Sequence, residues 1–250
     1  MKNISLLLLL FIFISCDNDK VNDCFQSSGS IISKYILVPD FTKIKVNRDI
    51  ELVLKDGPIQ KVLIETGENL LNDVNVEVVN SQLILTDNNT CNFVRDYNIT
   101  KVYVTAPNID EIKSSTQFKI SSQGVLNYPL IKVLSENFND SSIIAVGEVS
   151  LNLNSQEVRV VANNLTSFMF SGVTDVLNVN FAAGDGVFDG ANLIANTVSV
   201  SHRGTNDIIV NPQEELSGKL VSTGNLISVN QPPEVNVEVL YTGNLIFQLN

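Results

Sequence analysis

The chain has 250 residues, of which 44% are hydrophobic, enough for one sizeable domain with a buried core or for two small ones. Its 16 lysines and arginines stand against 27 aspartates and glutamates, and no basic cluster offsets this excess of negative charge. Such a chain repels phosphate backbones and anionic membrane surfaces, so we expect no nucleic-acid binding.

The first 15 residues have the layout of a signal peptide. Lys2 precedes an apolar run at 6–14, and Ser15 stands directly before Cys16. A helical run of that length spans roughly 14 Å, which is too short for a lasting transmembrane helix. The segment FISC at 13–16 resembles a bacterial lipoprotein signal, which implies cleavage before Cys16 and lipid on its thiol. A plain secretory signal is the alternative.

A polar segment rich in Asp, Asn and Ser follows at 16–34 and is interpreted as a tether. Its acidic start, DNDK at 17–20, resembles the segments that follow the lipidated cysteine in surface lipoproteins of Bacteroidetes. We therefore expect an outer-membrane lipoprotein, on the periplasmic face or the cell surface, that contacts the membrane through its N-terminal lipid.

Two further cysteines, Cys24 and Cys91, remain when Cys16 is assigned to lipid. In an oxidising envelope this pair suggests a disulfide that fixes the end of the tether to the domain. Two free, buried thiols are the alternative, because spacing alone does not determine pairing.

From Tyr35 onward, short β-branched segments alternate apolar and polar residues and end at Gly, Pro, Asn or Asp. The segment TKIKVNRDIELVLKD at 42–56 is one example. Only residues 68–74 could form a helical turn, and they are too few for more than a corner. The sequence therefore predicts an all-β domain.

Beyond residue 110 the predicted strands recur about every 20 residues. Val179, Val200 and Val221 are 21 residues apart, and residues 130–131 lie about 20 before Leu151. Such a period, with one apolar strand face per repeat, is typical of a β-solenoid.

Gly-containing corners separate these strands, and the phrase TGNLI occurs twice, at 223–227 and 242–246. Glycine and asparagine adopt the left-handed backbone that tight corners need. We interpret the twin phrases as corner-plus-strand units of the last coils. A β-sandwich is the alternative fold, because turn signals every 8–12 residues suit it as well.

Four phrases, in their order along the chain, resemble the head GIN domain family, whose members are called putative auto-transporter adhesins and are mostly secreted or lipidated proteins of Bacteroidetes. The phrases are FTKIKVNRDIELVLKDG at 41–57, VLIETGENLLNDVNVEVVNSQLILTD at 62–87, CNFVRDYNITKVYVTAPNIDEI at 91–112 and STGNLISVNQPPEVNVEVLYTGNLIF at 222–247. The resemblance covers about residues 35–250. It implies one right-handed parallel β-helix domain with an adhesin-like or structural role, no enzymatic function and no cofactor.

His202 is the one histidine, and Ser199, Ser201 and Asp207 lie near it in the sequence. Neighbours at alternate strand positions do not form a catalytic triad, and nothing resembles a nucleophile elbow. We interpret His202 as a surface or corner histidine. One histidine and two spare cysteines are a poor supply of zinc ligands, so no metal site is predicted.

Four aspartates, Asp175, Asp185, Asp189 and Asp207, lie about one repeat apart or within one corner. Carboxylates on adjacent coils can converge, as a calcium site or a glycosidase pair requires. A polysaccharide-binding or polysaccharide-cleaving, pectinase-like β-helix is therefore the alternative function. Aspartate is also common in tight corners for purely structural reasons.

Aromatic side chains give little support for a dedicated sugar-binding platform, since the chain has no tryptophan. Phe168 and Phe170 form the densest pair, and their spacing places both on one strand face, which is more often core than platform. Glycans and other surface proteins are the partners that we expect for an adhesin-like module.

Overall fold

The computed structural model describes residues 23–89, 91–97, 99–138, 142–144 and 146–248. The predicted signal peptide and Cys16 lie outside the described residues. The strands are β1 Ile31–Ile36, β2 Lys43–Val46, β3 Glu51–Asp56, β4 Lys61–Gly67, β5 Val74–Val79, β6 Gln82–Asp87, β7 Lys101–Ala106, β8 Glu111–Ser114, β9 Ile120–Leu126, β10 Leu130–Ser135, β11 Glu148–Ala162, β12 Ser167–Phe181, β13 Val187–His202, β14 Ile208–Leu220, β15 Leu226–Ser228, β16 Glu234–Val239 and β17 Leu245–Phe247. Within the described residues, two short 3-10 helices are also present, Asp23–Phe25 and Leu71–Asp73.

Each coil of the fold has strand segments on two of its sides. The first side consists of β7, β3, β9, the first halves of β11 to β14, β15 and β17, paired in parallel in that order. The second side consists of β6, β2, β8, β10, the second halves of β11 to β14, and β16, also in parallel. Successive coils thus stack strand on strand in parallel, and the all-β class predicted from the sequence is confirmed.

The core lies between the two sides and forms one continuous apolar cluster. Phe168, on the first side of its coil, contacts Phe181, on the second, with ring centroids 5.9 Å apart. Phe168 and Phe170 are both buried, which confirms that this pair belongs to the core. Alternate residues point inward along each strand because successive side chains of a strand face opposite sides.

The long strands β11, β12 and β13 each contain a corner. Burial alternates along β11 up to Ser155, and two successive residues, Gln156 and Glu157, then stay outside the core. The same break in the alternation occurs at Asp175 in β12 and at Asn196 in β13. Each of these three strands therefore runs through a corner, from the first side of its coil to the second.

The register confirms part of the predicted repeat and corrects the rest. Val179 pairs with Val200, as the 21-residue spacing predicted. Val200, however, pairs with Gly218 rather than with Val221. Ile131 pairs with Val158, not with a residue near Leu151. Register shifts in the β13–β14 pair and a long connection before β11 change the number of residues per coil, so equal spacing in sequence is not equal position in space.

The twin phrases near the C-terminus lie directly against each other. Leu226 pairs with Leu245 and Ile227 with Ile246 in the parallel pair of β15 and β17. The interpretation of TGNLI as corresponding units of the last two coils is therefore confirmed.

The N-terminal end of the fold departs from the solenoid. Here β1 pairs antiparallel with β4, β4 pairs antiparallel with β7, and β5 pairs antiparallel with β6. Antiparallel pairing, which the sandwich alternative proposed for the whole domain, thus occurs only at this end of the described chain. These strands cover the first coils, as a terminal cap must.

The predicted boundary at residue 35 falls inside β1, which begins at Ile31. Cys24 and Cys91 form a disulfide in the structure, with their Cα atoms 4.4 Å apart. The second half of the predicted tether is therefore part of the folded domain. Right-handed winding stays a prediction from the family resemblance.

Within the described residues, no helix has the length and apolar character needed to cross a membrane.

Candidate functional site

A groove follows the strand corner across four successive levels of the solenoid. It has a volume of about 420 Å³ and is called the corner groove here. The residues that line it are Asn127, Pro129, Asn154, Ser155, Gln156, Val173, Thr174, Asp175, Ile194 and Asn196. Because neighbouring strands lie about 4.8 Å apart, these four levels span roughly 14 Å along the axis of the solenoid.

Amide side chains line one wall of the corner groove, with a member at almost every level. Asn154 Nδ2 donates to Asn127 Oδ1 at 2.9 Å, and Asn127 Nδ2 donates in turn to Asp56 Oδ2 at 2.8 Å. Two coils further on, Asn196 Nδ2 donates to Asp175 Oδ1 at 3.2 Å. These bonds hold two pairs of side chains in place, and Asn154 and Asn196 are exposed, so their remaining polar atoms can bind a ligand.

Two aliphatic side chains form a strip beside this row. Val173 and Ile194 pair in register on adjacent strands and are 46% and 47% exposed. Half-exposed β-branched residues are ordinary when single, but here they are aligned on neighbouring coils within a groove. The corner groove therefore offers both apolar contact and a row of hydrogen-bonding groups.

Ser155 lines the corner groove, but its hydroxyl is buried. The residue is nine-tenths buried, and its Oγ forms no hydrogen bond. A buried polar atom without a partner is costly, and a hydroxyl can serve as both donor and acceptor. This oxygen is shielded from solvent, so Ser155 shapes the wall of the groove and offers no contact to a ligand.

The lining residues carry no positive charge, and their carboxylates are few. Asp175 lies in the corner groove, and a shallower depression that adjoins it adds Leu130, Glu157 and Val176. Glu157 Oε1 accepts hydrogen bonds from Arg159 Nε and from Asn178 Nδ2, so this carboxylate is already paired. A neutral, hydroxyl-rich ligand fits these groups better than an anionic one, because nothing here would neutralise an anion.

Comparison with known proteins assigns the fold to a family. The family model described as "Putative auto-transporter adhesin, head GIN domain" matches residues 40–232. The chain belongs to this family. The match confirms the resemblance found in the sequence and places the chain among adhesin-like domains, which indicates a surface or envelope protein. No curated protein matches the chain.

Solved structures share this fold at low sequence identity. A putative adhesin from Bacteroides fragilis superposes with a TM-score of 0.77 at 18% identity, covering 88% of this chain and 99% of its own. A putative adhesin from Parabacteroides merdae gives 0.64 at 17% identity, with 88% and 96% covered. A putative lipid binding protein from Parabacteroides distasonis gives 0.59 at 14% identity, with 87% and 97% covered. These likenesses show the fold alone.

The head GIN domain does not bring its four predicted site aspartates together. Asp175 lies in the corner groove, whereas Asp185 lies at the opposite corner, where Thr205 Oγ1 donates to it. Asp207 accepts hydrogen bonds from the backbone and side chain of Asn225 at 3.2 and 2.9 Å. Asp189 accepts from the backbone N–H of the residue two positions on.

Stacking explains this dispersal of the acidic residues. Each corner aspartate is aligned with a neutral residue of a neighbouring coil, such as Asn196, Thr205 or Asn225, rather than with another carboxylate. Across the described part of the chain, no group of three or more His, Cys, Asp and Glu side chains is placed to hold a metal ion. The regular spacing in the sequence therefore places each corner aspartate beside an asparagine or threonine side chain of the next coil and does not form an acidic cluster.

His202 occupies a corner, as expected, but it is buried rather than on the surface. The N–H of Gly204 donates to Nδ1 at 3.2 Å, so Nε2 carries the proton and donates to Asn206 O at 2.8 Å. Burial lowers the pKa of His202 below its ordinary value, which keeps the ring neutral. The ring packs against Phe181, with centroids 6.0 Å apart. Its inward position follows from the alternation of β13, because His202 lies on the same strand face as Val198 and Val200.

Several residues of the corner groove were not identified from the sequence. Asn127, Asn154 and Ser155 carry no motif. The usable signal was the break in alternation at Gln156, because it places successive residues outside the core and marks the corner.

Proposed function

We propose that this chain is a non-enzymatic, adhesin-like module of the cell envelope, held at the outer membrane by lipid on Cys16, that binds neutral glycan chains in the corner groove. The observation that carries the proposal is the row of amides beside an aliphatic strip, repeated along the axis of the solenoid. The family and the lipoprotein-like N-terminus support the envelope part of the proposal.

A glycan suits the groove for three reasons. Its hydroxyl groups donate and accept, so they match the amides of Asn154 and Asn196. The C–H faces of its rings are apolar and match Val173 and Ile194. The spacing of the levels, about 4.8 Å, is similar to the advance of one sugar unit in an extended chain, so each level can contact one unit.

An extended peptide suits the same groove less well. A peptide that adds to a sheet gains affinity from main-chain hydrogen bonds at an open edge. The strands that form the corner groove, β11 to β13, are paired on both sides, so they offer no such edge. A protein partner would depend on side chains alone.

A glycan array tests the binding proposal. The mature chain is compared with the double variant Asn154→Ala/Asn196→Ala and with the control Asn180→Ala, an exposed asparagine of the second side. Removal of two hydrogen-bonding amides should weaken binding roughly tenfold, and the control should bind as the wild type does. Binding to no neutral glycan, or equal binding by all three proteins, would contradict the proposal.

Turnover assays on the glycans that bind test the non-enzymatic part. The alternative is cleavage with Asp175 and the neighbouring Glu157 as the carboxylates. We expect no release of reducing ends by the wild type. Sustained release that is lost in Asp175→Asn would show that the chain is an enzyme.

Metabolic labelling with a palmitate analogue tests the lipid anchor. The wild-type chain should be labelled and Cys16→Ala should not, because the thiol of Cys16 is the proposed acceptor. Equal labelling of both chains would refute the anchor and leave the groove proposal standing.

A further inference from the structure

A second cavity lies near the N-terminal end of the domain, away from the corner groove. It has a volume of about 160 Å³ and is called the N-terminal pocket here. Three carboxylates and two aromatic rings are prominent in its lining, together with one buried amide: Asp49, Asp87, Asp96, Tyr97, Phe118 and Asn89. The segment that carries Cys91 of the disulfide forms one wall.

Asp87 is buried at the end of β6 and is held rigidly. Its Oδ1 accepts hydrogen bonds from the backbone N–H and the Nδ2 of Asn89, at 2.9 and 2.6 Å. Its Oδ2 accepts from Thr100 Oγ1 at 2.6 Å, which lies 2.9 Å from Thr66 Oγ1. All of these hydrogen-bond partners are neutral, so dipoles solvate the negative charge of Asp87.

Asn89 presents a free acceptor in the same place. The residue is nine-tenths buried, and its Oδ1 has no hydrogen-bond partner. Its Nδ2 donates both to Asp87 and to Leu70 O at 3.1 Å, which fixes the orientation of the amide and leaves the oxygen as the unsatisfied atom. A lone amide oxygen can only accept, so its missing partner is a donor.

The charge of the pocket is negative. Arg95 is the one basic residue in the described lining, and its guanidinium donates to two backbone carbonyls, Gln26 O at 3.2 Å and Asn89 O at 3.3 Å. The pKa of Asp49 is raised, first by burial and also by the nearby charge of Asp87, and this outweighs the lowering by the Gln117 hydrogen bond and by the charges of Arg48 and Arg95. Two partly desolvated carboxylates therefore face one small space.

We propose that the N-terminal pocket binds a primary alkylammonium group. An ammonium has three donors and no acceptor, which matches the free Asn89 Oδ1 and the excess of carboxylates. Tyr97 and Phe118 can contact the methylene stem and the cation. A metal ion fits less well, because no suitable ligand cluster exists in the described residues. The group comes either from a free amine or from a lysine side chain of a partner protein.

Two-dimensional NMR titrations of the mature chain test this inference. The probes are n-butylamine hydrochloride and Nα-acetyl-lysine amide, with n-butanol and the Nε-acetylated lysine derivative as neutral controls. We expect saturable shifts around Asp49 and residues 87–100 with the charged probes only. Binding of butylamine alone would favour free amines, and binding of both would favour a partner lysine. Saturable shifts with the neutral controls, or no saturable shift at all, would overturn the inference.

The variant Asp49→Asn is a matched test of the charge. Asp49 has a left-handed backbone (φ 66°), which asparagine tolerates, and it receives a hydrogen bond from Gln117 that an amide oxygen can also accept. Affinity for butylamine should fall roughly five- to tenfold, because a charged acceptor becomes neutral. Asp185→Asn, at a distant corner, should bind as the wild type does. Unchanged affinity of Asp49→Asn for butylamine would refute the role of the Asp49 carboxylate. Neither variant tests the glycan binding proposed for the corner groove.

Discussion

Replacement of Gly172 by alanine should destabilise the domain far more than the same replacement of Gly124. Both glycines have left-handed backbone, with φ of +106° and +84°. A Cβ at Gly172 would lie 2.0 Å from the carbonyl oxygen of Leu153 on the neighbouring coil, whereas a Cβ at Gly124 meets no heavy atom within 4 Å. The pair therefore separates the cost of the backbone conformation from the cost of the clash.

The expected magnitudes follow from these contacts. A left-handed backbone costs an alanine about 1–2 kcal/mol at either position. At Gly172 the strands β11 and β12 must also separate where Leu153 pairs with this residue, with the loss of about two ladder hydrogen bonds at about 1 kcal/mol each. We expect a loss of about 3–4 kcal/mol for Gly172→Ala and of about 1–2 kcal/mol for Gly124→Ala.

Urea unfolding of the mature, disulfide-bonded chain measures both losses from the shift in midpoint at constant m-value. Equal destabilisation by the two variants would show that successive coils are not in close contact at this position. That result would refute the reasoning from stacked coils, because the clash exists only if Leu153 and Gly172 are neighbours.

Three further predictions concern the buried polar groups and the disulfide. The pKa of His202 is lowered in the folded state, so its contribution to stability is fully present above the unfolded pKa of about 6.5 and is lost as pH falls through the folded pKa. The urea midpoint of His202→Gln should therefore vary less between pH 7 and pH 5 than that of the wild type. An equal dependence of the two midpoints on pH would contradict this prediction. The double variant Cys24→Ser/Cys91→Ser removes a disulfide between residues 67 positions apart, and its free energy of unfolding should fall by up to about 4 kcal/mol. The intact mass of the wild type should rise by two hydrogens on reduction. An unchanged mass would mean that the two thiols are free. Tyr128 is fully buried, and its hydroxyl donates to Ala106 O at 3.1 Å. Tyr128→Phe should therefore lower the free energy of unfolding, measured with urea, by about 1 kcal/mol. The control Tyr241→Phe, at an exposed tyrosine, should show no measurable loss.

The local pattern of the sequence determined the fold class. Alternation of period two depends on neighbouring residues only, so it predicted the strands of residues 42–56 and the inward Phe168 and Phe170 correctly. The identical phrases at 223–227 and 242–246 predicted adjacent coils, because equal phrases occupy equivalent positions in a repeating structure.

The tertiary structure decided which coils and which side chains meet. Val221 is not the partner of Val200, because bulges and connections of different length change the register by amounts that spacing does not reveal. The N-terminal cap depends on antiparallel pairs such as β1 with β4, whose strands lie far apart in the sequence.

The two candidate sites depend on this long-range geometry even more. The corner groove takes residues from four levels, and the N-terminal pocket joins Asp49 to Asn89 across forty positions of the chain. Alternation reports whether a side chain points into the core, and so it identified the strands. It does not report which residue of another coil lies beside that side chain. The candidate sites form because hydrogen bonds between coils bring together asparagines and aspartates that are distant in the sequence.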